Sequence, residues 1–279
     1  MTRTRQAQKA AIRASRLRAR LGYRAADSVC PFDIATELGL DVRFLAQSSL
    51  EGMYAPGSPP VVLINSLRPA GRRRYTAGHE LGHHEFDHGA SLDAQLVDTA
   101  TTRVEEFLAD RYSEHLLMPK LAVTDAYARR RWKPGMTSAE QAFVVAQDLG
   151  VGFTTLLTHM SFTLGLLAKS DAERLRRQPL HRIRKTLLPI ELEHDLFPVD
   201  HHWGARPLDV EVGDLVSAPR GARFEGSCVE CDGSVIRARA AGTGQLVVPG
   251  RNSPIWVRVS KREFVGMALY RHLEDPDES

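Results

Sequence analysis

Of all the patterns in this chain, His79-Glu80-Leu81-Gly82-His83 places the tightest limit on how it can fold. Two histidines four apart on a helix project from one face, one above the other, where their rings can share a metal ion. Glu80 lies about a quarter-turn round from His79, where a carboxylate can take a proton from water beside such a metal. The bland alternative is a surface helix whose histidines hold nothing. Ser66 is a candidate cap for this helix, Pro69 falls in its first turn, and Gly89 can close it. Gly78 and Gly82 lie on the histidine side, and each costs the helix about 1 kcal/mol relative to Ala. Glycines there let another backbone come close. Arg72, Arg73 and Arg74 oppose the helix dipole and read as a solvated face, or less readily as a collector of acidic substrate.

A catalytic zinc takes three protein ligands and keeps one open position, so a third donor is required. The pattern H-E-x-x-H-x-x-G-x-x-H fails, because Phe86 stands at the glycine and Gly89 at the last histidine, with His88 one residue out of register. A better donor lies on the next helix, where Val104, Phe107, Leu108, Leu116 and Leu117 recur at helical spacing. There Glu106 offers a carboxylate, and Asp110 one turn later can hold a ligating imidazole by its other nitrogen. Glu105, pointing about 100° away, reads as solvent-facing. Tyr112 and His115 are further candidates for stabilising an oxyanion, with core packing the plainer role for Tyr112.

The ordered set Arg74-Tyr75-Thr76-Ala77-Gly78-His79-Glu80-Leu81-Gly82-His83, Glu106-x-x-Ala109-Asp110 and Leu116-Leu117-Met118-Pro119 resembles the ImmA/IrrE family of metallopeptidases. Upstream, Pro31 to Ala35, Leu38 to Val42 and Glu51-Gly52-Met53-Tyr54 are similar to that family's lead-in. The resemblance runs from about residue 10 to about residue 165. Gly78 departs from it, since alanine is commoner there. The resemblance implies His79, His83 and Glu106 as ligands of Zn2+ (Mn2+ being an alternative) and Glu80 as catalytic base. It also implies a gluzincin-like site and, as substrate, a helix-turn-helix repressor.

Around this centre the chain reads as α+β. A first amphipathic helix uses Ile12, Leu17 and Leu21, and a second spans Phe32 to Leu38. Val42 to Leu45 is a short strand, and Glu51–Tyr54 with Val61–Asn65 forms a hairpin. Such a sheet would flank the metal helix and could pair with an extended substrate. Residues 89–102 read as loop. Helices follow over Leu121–Trp132, Ser138–Leu149 and Phe153–Met160. The last two resemble a helix-turn-helix about Gly150-Val151-Gly152, yet Thr154, Thr155, Leu156 and Leu157 stand where DNA reading would want basic or amide groups. Lys169 to Lys185 is a basic linker helix, and His194, His201 and His202 lie in a proline-marked linker. From Leu208 the pattern turns to short strands with glycine turns, a small β-domain or barrel. Cys228-x-x-Cys231 there lacks partner ligands and reads as two ordinary thiols.

These readings divide the chain into a metallopeptidase core over 1–135, a helix-turn-helix-like segment over 136–168, a basic helix and linker over 169–206, and an all-β domain over 207–279. A net charge of +3 gives no ground for direct nucleic-acid binding, and three cysteines make no disulfide framework, which points to the cytoplasm. No apolar run reaches about 18 residues, so no membrane helix is expected. The expected function is a zinc-dependent regulatory endopeptidase acting on a specific protein. Its rival is a non-enzymatic regulator or DNA-binding module with a structural metal. The oligomeric state is not legible.

Overall fold

The computed structural model describes residues 2–92 and 100–273. The chain divides into two compact units, Met1–Val123 with Val265–Leu269, and Thr124–Phe264 with Tyr270–Ser279. Three small sheets and a larger share of helix make a mixed α/β architecture.

The first unit runs α1 (Arg3–Arg20), α2 (Pro31–Glu37), β1 (Asp41–Leu45), β2 (Gly52–Ala55), β3 (Val61–Asn65), α3 (Ala70–Glu85), β4 (Ser91–Leu92) and α4 (Ala100–Leu117). In α1 the buried seam is Ala10, Ala14 and Leu17, while Ile12 is exposed, so the expected seam is only partly right. Small alanines let α1 lie close to its neighbour. The buried Arg18 donates from its two terminal nitrogens to backbone carbonyls, those of Leu116 (2.7 Å) and Arg24 (3.0 Å) among them. The expected hairpin is present, β2 antiparallel to β3 with Gly52 opposite Ile64. β1 joins the other side of β3 in parallel, and the returning strand Gly266–Met267 pairs with β1. Val42, Phe44, Tyr54, Val62 and Ile64 alternate inward from this sheet, the period-2 pattern of a half-buried surface. The segment read as loop over 89–102 contains β4, which pairs with β2, and the start of α4; residues 93–99 lie outside the described residues.

The second unit contains the end of α5 (Lys120–Arg129), then α6 (Ala139–Leu149), α7 (Phe153–Thr158), α8 (Lys169–Arg176) and α9 (Leu180–Leu187). Ser138 and Gln141 form a capping box at the start of α6, and Gly150 ends it at φ 74°. α7 buries Phe153, Leu156 and Leu157 and passes into one π turn over His159–Thr163. The basic stretch read as one helix is two, broken at Pro179.

The strands follow as β5 (Leu196–Pro198), β6 (Leu208–Glu211), β7 (Leu215–Ser217), β8 (Arg223–Glu225), β9 (Val229–Asp232), β10 (Val235–Ala238), β11 (Gly242–Val247) and β12 (Ile255–Ser260). They form two sheets, β5-β7-β10-β9 and β6-β12-β11-β8. Phe197, Trp203, Leu208, Val216, Ile236, Leu246 and Val257 share their core. Within the same unit the fully buried Asp148 accepts from Arg130 (2.8 Å), Arg129 (2.7 Å) and the Gly204 N–H (2.7 Å), and Arg130 also reaches Asp200. Cys228 is buried and Cys231 exposed. Both are thiols. No helix among the described residues is long and apolar enough to cross a membrane.

Candidate metal centre

The helix α3 is gripped from two sides through glycine. Toward α4, a Cβ on Gly82 would stand 2.8 Å from the Ala109 Cα, and one on Gly78 would stand 2.6 Å from the Ser113 hydroxyl. That hydroxyl donates to the Tyr75 carbonyl at 2.8 Å. Toward the sheet, Thr76 and Glu80 lie against Gly52 of β2. His79 and His83 fall on the sector between these two seams, as a rotation of about 100° per residue requires.

The close approach of α4 brings Glu106 to the two rings. His79 Nε2 and His83 Nε2 are 3.0 Å apart, and Glu106 oxygens lie 3.1 Å from the first and 3.4 Å from the second. Among the described residues these three make the one group of His, Cys, Asp or Glu donors able to hold a metal ion. Zinc–nitrogen bonds of about 2.0–2.1 Å in a tetrahedron give ligand edges of about 3.3–3.4 Å. The donor spacing and the mixed nitrogen and carboxylate chemistry therefore fit a zinc-sized ion.

Each imidazole is braced on its far nitrogen. His79 Nδ1 lies 3.0 Å from an Asp110 oxygen, which Tyr75 also approaches with its hydroxyl at 3.4 Å. His83 Nδ1 lies 3.0 Å from His88 Nδ1. With Nε2 reserved for a metal, Nδ1 of both rings carries the proton, so Asp110 and His88 act as acceptors. His88 reaches this place through the helix end. α3 stops at Glu85, Asp87 adopts a left-handed φ of 56°, and the His88 N–H turns back to the His83 carbonyl at 3.0 Å. Phe86 to His88 thus do what was expected of Gly89. At the other end, Pro69 occupies the cap position, while Ser66 is buried with its N–H on the Leu45 carbonyl, so Ser66 is not the cap.

The electrostatics follow from this crowding. Burial works against a charge on His79, but the hydrogen bonds to Asp110 and Glu106 outweigh it and hold the ring above its ordinary pKa. Burial and the neighbouring His79 push His83 well below. Burial likewise opposes ionised Glu106 and Asp110, yet the His79 contacts keep both below the usual carboxylate range. The opposite shifts favour a single positive charge on the pair of rings, carried by His79.

The remaining expectations sort themselves by burial. Glu80 is 1% exposed, inside the seam with β2. Arg73 and Arg74 are buried and Arg72 pairs with Glu51 at 3.0 Å, so the arginine run is not a solvated face. Glu105 is half-buried and its charge acts on His88. Tyr112 is fully buried with its ring 6.1 Å from Phe86, a core residue. His201 bonds the Pro249 carbonyl at 2.9 Å, as a loop histidine does. Sequence reasoning missed Tyr75 and His88 as supports. Tyr75 was marked only by its position four before His79, and His88 depends on a left-handed turn that no pattern announces.

Residues 32–160 match the family model described as the IrrE N-terminal-like domain, peptidase M78. No curated protein matches the chain. Among solved structures, a Mycobacterium tuberculosis transcriptional regulator is similar at 16% identity and a TM-score of 0.38, over 55% of this chain and 46% of that one. The chain thus spans less than half the length of that protein.

Proposed function

We propose, from the match of residues 32–160 to the IrrE N-terminal-like peptidase model, that this chain is a zinc-dependent endopeptidase that cuts a specific protein, with a regulatory purpose. His79, His83 and Glu106 hold the metal, Zn2+ or in its place Mn2+, and Glu80 is the general base. The observation that carries the reading is the convergence of three donor atoms on one point with both far nitrogens braced. When bound, the metal polarises the scissile carbonyl and makes water acidic enough to attack near neutral pH. Asp110 and His88 fix the ring planes through Nδ1 and leave each Nε2 facing the metal position. Glu80 takes the proton from the attacking water and returns it to the leaving amine. The Thr76–Glu80 seam holds that carboxylate against Gly52 and away from bulk water.

The substrate belongs to the proposal as well. A helix-turn-helix repressor is the protein class that the sequence resemblance suggests, and the cytoplasm is the setting suggested by cysteine usage. The all-β region over 207–279 is assigned to substrate recognition. The rival reading, a regulator with a structural metal, calls for a closed site of four ligands and gives Glu80 no task. The test is elemental analysis of purified protein together with repressor cleavage. About one metal per chain is expected in wild type and none in His79→Ala or His83→Ala. Full cleavage by a metal-free variant would sink the proposal.

A further inference from the structure

We propose that Gly52 is a positioning residue for Glu80: the missing side chain on β2 is what lets the Glu80 carboxylate occupy its working place. The inference rests on the peptidase reading above and deepens it.

Gly52 opens the strand β2, where glycine has no side chain to pack. Its backbone is not left-handed, so no conformational demand explains the glycine. Space does. A Cβ there would stand 2.4 Å from Thr76 Cγ2, 2.7 Å from Glu80 Oε1 and 3.4 Å from Glu80 Cδ. Real Cβ atoms do not approach so closely, so either the strand or the carboxylate must move.

The strand is pinned. Gly52 lies in register with Ile64 on β3, and its neighbours Met53 and Tyr54 pair with Leu63 and Val62. Just before it, Glu51 holds Arg72 in the first turn of α3 at 3.0 Å. Just after it, the buried Tyr54 places its hydroxyl 3.1 Å from His84 Nδ1, in the last turn. β2 therefore runs along α3 with contacts at Arg72, Thr76, Glu80 and His84, one helical turn apart. Gly52 cannot withdraw without breaking that seam. Glu80 is the part that yields, because the contact falls on the carboxylate at the far end of its side chain. An added methyl drives the carboxylate out of the seam while leaving His79 and His83, on another sector of α3, and Glu106, on α4, untouched.

The test uses full-length protein in a Thr76→Ser background, which removes the Cγ2 contact and isolates the one with Glu80. Four proteins combine native Gly52 or the Gly52→Ala change with native Glu80 or the Glu80→Ala change, and Glu80→Gln serves as reference. The probe is a quenched fluorogenic peptide selected on wild type from a combinatorial library. Gly52→Ala should keep about one metal per chain and a KM near wild type, while kcat falls by about 100-fold or more, the scale of a displaced general base. It should also lower Tm by roughly 2–10 °C with Glu80 present, and by less than half of that with Glu80→Ala. Unchanged kcat in Gly52→Ala, or equal Tm losses in both backgrounds, overturns the inference while an inactive Glu80→Gln keeps the peptidase reading. A Glu80→Gln protein as active as wild type overturns the peptidase reading itself, and the inference with it.

Discussion

In the proposed metal centre, Asp110 and His88 stand one residue behind the candidate ligands. Asp110 lies in hydrogen-bond reach of His79 Nδ1 and is itself approached by the Tyr75 hydroxyl; His88 lies against His83 Nδ1. Loss of such a support weakens metal binding by about 10–100-fold. Metal titration should therefore rank Glu106→Ala as severe, Asp110→Ala and His88→Ala as intermediate, and Glu105→Ala as mild. Severe loss in Glu105→Ala with Glu106→Ala near normal would reverse the ligand assignment. The proton on His79 gives a second outcome. Burial disfavours that charge, but Asp110 and Glu106 outweigh it, so the metal-free ring is held above its ordinary pKa. Metal must displace this proton, so affinity rises with pH across the neutral range and falls in acid. Calorimetry in two buffers of different ionisation enthalpy should find about one proton released per metal bound at pH 7. A value of zero would mean that His79 is neutral before loading.

At the scale of elements, the metal helix is placed by what its neighbours lack. Gly82 meets backbone at the Ala109 Cα, whereas Gly78 meets the Ser113 side chain, whose hydroxyl a substitution can remove. Gly82→Ala should cost about 1–3 kcal/mol by overpacking, read as a lower Tm. Gly78→Ala with Ser113→Ala should cost less, because up to about 1 kcal/mol of helix propensity offsets the lost hydroxyl bond to the Tyr75 carbonyl. Equal losses in the two would show that α4 can shift away from α3. The motif, its helix, the hairpin and the helix of Glu106 were all legible in the sequence, because periodicity and spacing are local. Less was legible where the answer depends on a partner surface. Ser66 looks like a cap, but the chain enters α3 from β3 through Pro69. Arg73 and Arg74 look solvated, but the sheet and helices close over them. Ile12 looks like the seam of α1, yet alanines provide it because close packing favours the small side chain. Gly52 looks like a strand defect until Glu80 is seen beside it.

For the molecule as a whole, the point where the chain tolerates a cut is set by shared cores. Phe197, Val199 and Trp203 precede Pro207 in sequence but are buried with strands that follow it. The strand Gly266–Met267 also returns to pair with β1 in the first unit. A protein ending at Arg206 should therefore expose these side chains and melt at a lower temperature, with dye binding to apolar surface; a wild-type melting profile would show that the later strands fold apart. The central claim, that the His79–His83–Glu106 centre is a peptidase centre served by Glu80, is tested most directly by Glu80→Gln. The measurement is metal content and repressor cleavage on the same preparation, beside wild type. The account predicts about one metal per chain in both proteins, with cleavage reduced by about 100-fold or more in the variant. Metal retained with cleavage at the wild-type rate would contradict it.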